Sequence, residues 1–183
     1  MAAPRLGLAL GGGAARGFAH IAMLEVCDEL GLRPQRIAGT SMGALIGAAY
    51  AAGVPAKDIR AHAIEMLANR LQVARSVFSR KSGRNPLDLV QFPAFGTTLI
   101  NGEALIDLIL PPNIPGRIEE MPIAFTVSAV DFYGVQELII ASGPVRQALA
   151  ASIAIPGIIA APKIDGRILI DGAIMNPLPV DHL

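Results

Sequence analysis

Two glycine-rich turns near the N-terminus constrain the fold more than any other feature of the chain. Each stands between a short apolar run and a helix-forming stretch. Leu6–Gly7–Leu8–Ala9–Leu10 ends at Gly11–Gly12–Gly13, after which Phe18, Ile21, Leu24 and Val26 recur with approximately helical spacing as far as Gly31. Arg36 to Ala38 begins a second short run, which passes through Gly39–Thr40–Ser41–Met42–Gly43 into an Ala/Leu/Ile-rich stretch ending near Ala52. Short apolar runs bounded by glycine read as buried parallel strands, and the longer spacing reads as helix. Parallel neighbours need a crossover connection, so a β–turn–α–β–turn–α opening predicts a parallel sheet covered by helices.

The remainder extends this pattern. Pro55 suits the first turn of a helix running to about Ala74. The stretch 75–100 carries Gly83, Asn85–Pro86, Pro93 and Gly96 with little periodicity, and reads as an irregular insertion or lid. Asn101 is placed to cap a helix through Leu110, which Pro111–Pro112 ends. Ile123–Val130, Glu137–Ala141 and Ile168–Ile170 read as strands, Val145–Ser152 as a helix, and Asp165–Gly166 as a hairpin turn. At 183 residues the chain suits one domain.

Composition narrows the function classes. Fifteen Lys plus Arg balance fifteen Asp plus Glu, leaving no basic excess for nucleic acid. Hydrophobic residues make up 52% of the chain and charged residues 16%, which excludes general disorder. Cys27 stands alone, so neither a disulfide framework nor a cysteine-based zinc site is available. The long uncharged run ending at Ala56 has Gly39, Gly43 and Gly47 at the spacing of a transmembrane dimer face. Its glycines, Thr40, Ser41 and Pro55 fit close packing of a helix against a sheet better. The apolar run Leu6–Leu10 is too short for a signal sequence, so the chain is read as unprocessed and cytoplasmic.

Gly39–Thr40–Ser41–Met42–Gly43 has the G-x-S-x-G form. A serine on a tight strand-to-helix turn needs small residues on both sides, which Gly39 and Gly43 supply, and the next helix aims its N-terminus at the hydroxyl. The Gly11–Gly12–Gly13–Ala14–Ala15–Arg16–Gly17 loop admits three readings. A dinucleotide fingerprint would place its third glycine on Arg16, and a P-loop would need a Gly-Lys-Ser/Thr that does not follow. An oxyanion hole serving Ser41 requires nothing that is missing, and a plain packing turn is the bland alternative. For the base there are two candidates. His182 follows Asp171 in the order of a Ser-Asp-His triad but stands one residue from the end of the sequence. Asp171 acting alone ends a strand and precedes Gly172, and it reads equally well as a turn or capping residue. His20 and His62 read as surface or packing residues.

These blocks, with Ala151–Ser152–Ile153–Ala154–Ile155–Pro156–Gly157, Leu169–Ile170–Asp171–Gly172–Ala173 and Asn176–Pro177–Leu178–Pro179–Val180, resemble the patatin-like phospholipase family over nearly the whole length. The resemblance implies a three-layer α/β/α fold with a mostly parallel central sheet. It implies a Ser41–Asp171 dyad without a catalytic histidine, with Gly11, Gly12 and Gly13 as the oxyanion hole and Arg16 supporting that loop. It also implies hydrolysis of lipid acyl esters without metal or cofactor. Ala173 stands where relatives often have a second glycine, and relatives usually continue beyond Leu183, so a truncated C-terminal edge is expected. Arg70, Arg75, Arg80, Lys81 and Arg84, with Phe78, Phe92 and Phe95 in or beside the same stretch, suit a phospholipid headgroup or an anionic membrane surface. A solvated loop paired with acids elsewhere fits them equally. Ile153–Ala161 reads as core packing rather than an acyl groove.

Overall fold

A computed structural model describes residues 5–68, 90–91 and 99–183. In chain order the elements are β1 (Gly7–Leu10), α1 (Ala19–Glu29), β2 (Arg36–Thr40), α2 (Met42–Ala51), α3 (Ala56–Ala68), β3 (Val90–Gln91), β4 (Leu99–Ile100), α4 (Gly102–Ile109), β5 (Ala124–Asp131), β6 (Gln136–Ile140), α5 (Val145–Ser152), β7 (Lys163–Ile164) and β8 (Arg167–Asp171). Short 3-10 turns at Ala14–Phe18, Gly172–Ile174 and Val180–His182 fill the connections. The central sheet is mixed and mostly parallel, with helices packed around it, as expected. Strands β1, β2 and β5 run parallel, while β6 and β8 are antiparallel to β5.

Local chemistry explains the element ends. Gly31 takes φ +67° past α1, and the Leu32 N–H reaches back to the Cys27 carbonyl, which satisfies the end of the helix. The Asn101 side chain accepts the Ala104 N–H at 3.1 Å, capping α4 as its position predicts. Asp165 and Gly166 both have positive φ, the geometry of a tight β7–β8 hairpin. Within 75–100, Val90–Gln91 and Leu99–Ile100 pair as a short antiparallel ribbon. The basic cluster from Arg70 to Arg84, with Phe78, Phe92 and Phe95, lies outside the described residues, as does the end of the helix expected to reach Ala74.

The register of β5 positions the site. Val127 and Ser128 pair with β2 on one side and β6 on the other, while Ala129 pairs with Asp171 of β8 and with Leu138 of β6. Because β6 occupies one edge from Val127 to Asp131, β2 and β8 share the other and meet end to end. Thr40 is opposite Ser128 and Asp171 is opposite Ala129, so adjacent residues of β5 hold the two strand ends together.

The core that backs this junction includes the fully buried Leu10, Ile37, Ile106, Val127 and Leu149. Helix α2 is composed largely of Gly and Ala, and every residue from Gly43 to Ala51 is buried. Small side chains let it approach the sheet closely: a Cβ on Gly43 would lie 2.0 Å from the Leu10 carbonyl oxygen. Backbone on both sides cannot yield to such a contact, so Gly43→Ala is expected to destabilise the fold by about 1–3 kcal/mol or more. Urea unfolding of wild type and variant measures it. An unchanged midpoint would show that α2 does not approach β1 as described.

Candidate active site

The serine of the G-x-S-x-G sequence stands where β2 turns into α2. Ser41 adopts φ 54° and ψ −121°, a positive φ that is costly for a residue with a side chain. The flanking glycines make the bend possible: a Cβ on Gly39 would lie 2.6 Å from Ala44 Cα, and Gly43 faces the Leu10 carbonyl. The bend leaves the Ser41 N–H outside the helix ladder. It donates to Ser152 Oγ at 2.8 Å, and Ser152 Oγ donates to the Ser128 carbonyl at 2.7 Å. Ser152 and Ser128 are both buried, so this relay ties the bend to α5 and β5.

Asp171 ends β8 and meets the serine. Ser41 Oγ donates to Asp171 Oδ2 at 2.8 Å, and Asp171 Oδ1 accepts the Ala173 N–H at 2.8 Å. The turn after it is tight, since a Cβ on Gly172 would lie 2.4 Å from the Ser128 carbonyl oxygen. Asp171 as a residue is 5% exposed. Burial pushes its pKa above the ordinary carboxylate value, partly opposed by the Ala173 amide and the Ser41 hydroxyl, which stabilise the charged form.

The glycine loop lies against the same bend. A Cβ on Gly12 would be 3.4 Å from Ser41 Cβ. The Gly12 N–H donates to the Pro177 carbonyl at 2.9 Å, so that amide is engaged, while the Gly13 amide has no hydrogen-bond partner among the described residues. Gly13 takes φ +146° and Ala14 φ 48°. His20 lies 2.9 Å from the Gly11 carbonyl through Nε2; a carbonyl only accepts, so Nε2 carries the proton. Arg16 is exposed, its amide donates to the Gly13 carbonyl at 3.0 Å, and its side chain has no hydrogen-bond partner among the described residues.

His182 belongs to a different cluster. Its Nε2 lies 3.3 Å from Glu137 Oε2 and 3.2 Å from Asp181 Oδ2. Asn176 Nδ2 donates to the same two carboxylates, and Ser128 Oγ donates to Glu137 Oε1 at 2.7 Å. This cluster anchors the final segment, whose Asn176 carbonyl accepts the Thr40 hydroxyl at 3.0 Å.

Comparison with known proteins gives the family and the fold. The patatin-like phospholipase family model matches residues 8–183. The chain belongs to the patatin-like phospholipase family. An uncharacterized NTE family protein of Mycobacterium tuberculosis is 37% identical over 177 residues, covering 97% of this chain and 45% of that protein. Lysophospholipase nte1 of Aspergillus fumigatus is 30% identical over 178 residues, covering 97% of this chain and 11% of that protein. The chain spans less than half the length of these curated relatives. Among solved structures, VipD from Legionella pneumophila matches with a TM-score of 0.55 at 15% identity, over 97% of this chain and 47% of that one, a likeness of fold. No helix among the described residues is long and apolar enough to cross a membrane.

In this patatin-like chain the structure therefore brings Ser41, Asp171, Gly12, Gly39 and Gly43 together and leaves Arg16 turned outward. Ser152 and His20 are the residues that motif reasoning passes over. Ser152 lies inside a family block, but only the pairing of α5 with β2 and β5 shows what it holds. Ser152→Ala removes the acceptor of the Ser41 N–H and the hydroxyl that donates to the Ser128 carbonyl, and is expected to destabilise the fold by about 1–3 kcal/mol, read by urea unfolding. A midpoint equal to wild type would show that the relay carries no load. Asp171→Asn removes a buried charge. The folded pKa of Asp171 is raised, so wild-type stability falls as pH rises from the unfolded carboxylate pKa through the folded one. The variant should therefore melt above wild type at neutral pH, and the gain should vanish below the ordinary aspartate range. A constant difference across pH would show that the charge is not the cause.

Proposed function

We propose that the chain hydrolyses fatty-acyl esters of phospholipids or related lipids with Ser41 as nucleophile and Asp171 as base. The observation that carries this reading is the 2.8 Å hydrogen bond from Ser41 Oγ to a buried Asp171 carboxylate. In the mechanism, Asp171 takes the Ser41 proton as Oγ attacks the ester carbonyl. The carbonyl π electrons move to oxygen, and the tetrahedral intermediate collapses with loss of the alcohol, which leaves with the proton. Asp171 then takes a proton from water, whose oxygen attacks the acyl-enzyme, and the fatty acid departs as Ser41 recovers its proton.

A raised aspartate pKa brings the base nearer to working pH, though it remains weaker than histidine. Electrostatics must therefore supply much of the barrier reduction. The amides of Gly11 to Gly13 are the proposed oxyanion donors, and one well-placed donor is worth roughly 2.7–4 kcal/mol. The Gly13 amide has no partner among the described residues and would be free to serve, whereas Gly12 would have to exchange the Pro177 carbonyl for the oxyanion. The N-terminal end of α2 adds a favourable dipole beneath the serine. The mechanism asks nothing of a metal or cofactor. Arg16 as loop support, residues 75–100 as a lid, and peripheral contact with a lipid surface extend the same proposal.

A Ser-Asp-His triad acting on soluble esters requires His182 to leave Glu137 and Asp181. The test is labelling by a fluorophosphonate together with turnover of a chromogenic acyl ester. Wild type and His182→Ala should label and turn over alike, while Ser41→Ala and Asp171→Asn should lose activity by several orders of magnitude. Loss in His182→Ala comparable to that in Ser41→Ala would support the triad. Absence of labelling in wild type would support a non-catalytic lipid-binding role.

A further inference from the structure

Apart from Ser41 and Asp171, a second set of chemistry-bearing side chains converges where the final segment meets β6. Glu137 lies on β6, and Asp181 and His182 lie on the 3-10 turn Val180–His182. One ligand atom from each of the three lies within 4.8 Å of the other two. His182 Nε2 stands 3.3 Å from Glu137 Oε2 and 3.2 Å from Asp181 Oδ2. This nitrogen is buried, yet it makes no hydrogen bond among the described residues. Neither oxygen is therefore aligned with it as a hydrogen-bond partner would be.

The two carboxylates are held in place and are short of positive charge. Ser128 Oγ donates to Glu137 Oε1 at 2.7 Å, and Asn176 Nδ2 donates to Asp181 Oδ1 at 2.9 Å and to Glu137 Oε2 at 3.2 Å. Hydrogen bonds of this kind, made behind the ligating atoms, are what orient carboxylates around an ion. The Glu137 side chain is 21% exposed, and among the described residues neither Glu137 nor Asp181 pairs with a lysine or arginine. Two negative groups this close repel one another unless a cation stands between them.

We infer that Glu137, Asp181 and His182 bind one divalent transition-metal ion, zinc by preference, which clamps the final segment onto β6. One imidazole and two carboxylates suit zinc, whereas calcium and magnesium take oxygen ligands. Zinc bonds of about 2.0–2.1 Å make the edge of a tetrahedron about 3.3 Å, which the two nitrogen-to-oxygen separations match. The Asp181 side chain is 61% exposed, so it is free to close the remaining edge, and water completes the fourth position. Asn176 and Pro177 of the same segment accept the Thr40 hydroxyl and the Gly12 amide, so the ion stiffens one wall of the serine site from behind. No step of the proposed hydrolysis passes through it, and the inference does not depend on that reading.

The test is calorimetric titration of the chelator-stripped chain with zinc chloride, paired with thermal melting. Wild type should take up one ion per chain, and zinc at about 100 times its Kd should raise Tm by about 5–10 °C. His182→Ala should bind zinc at least about ten-fold more weakly and lose the rise in Tm. Asp181→Asn, which keeps the shape of the side chain, should weaken binding in the same direction. Glu65→Gln, at an exposed position on α3, should behave as wild type. Cobalt(II) reads the geometry: wild type should show the intense visible absorption of a tetrahedral ion, and His182→Ala should not. No saturable zinc uptake by wild type overturns the inference, as does equal uptake by wild type and His182→Ala, which would place the ion elsewhere. A larger rise in Tm with calcium or magnesium than with zinc overturns it too.

Discussion

The site depends on two strands meeting end to end along one edge of a third. On its own β2 ends at Thr40, and on its own β8 ends at Asp171. Strand β5 brings them together, because its residues Ser128 and Ala129 pair with those two ends. Parallel β2 arrives from below and antiparallel β8 from above. The break between them exposes a serine and a carboxylate to each other without a helix or a loop having to span the gap. Hydrogen bonds of the sheet fix both partners to one rigid element, which is how a site holds the sub-ångström tolerance that proton transfer needs.

Strain and burial are both concentrated at that break. Ser41 holds a positive φ, costing on the order of 1–3 kcal/mol, and Asp171 carries a charge at 5% exposure. Neither would persist without support. The Ser152 relay holds the serine amide, the Ala173 amide holds the second carboxylate oxygen, and the Gly-rich start of α2 lets a helix press against the bend from behind. The final segment closes the other side through the Asn176 and Pro177 carbonyls, which take the Thr40 hydroxyl and the Gly12 amide. Removing strain at the serine or charge at the aspartate would favour the fold and disfavour the proposed chemistry, the usual conflict between stability and function.

Much of this was legible in the sequence where the cause is local. The strand–turn–helix pattern around Gly11–Gly13 and Gly39–Gly43, the Asn101 cap, the Gly31 helix end and the Asp165–Gly166 hairpin each follow from a few neighbouring residues, and each is present. The pairing of Ser41 with Asp171 is not local. Spacing alone left Asp171 divided between a capping role and a base, and only the family resemblance favoured the second. The geometry accommodates both, since one carboxylate oxygen caps the Ala173 turn and the other meets the serine hydroxyl. Ser152 and His20 were illegible for the same reason: their partners depend on sheet register and on how the glycine loop packs, which no periodicity encodes. His182 illustrates the converse. The order of residues along the chain suggested a triad, whereas the His182 Nε2 lies within 3.3 Å of the Glu137 and Asp181 carboxylates.

The pH dependence of fluorophosphonate labelling tests most directly whether the hydroxyl shares its proton with a buried carboxylate. The rate should rise with a single ionisation lying above the ordinary aspartate range, as burial of Asp171 requires, and removing the His182 imidazole should not move it. A rise near neutral pH that disappears with that imidazole would contradict the account.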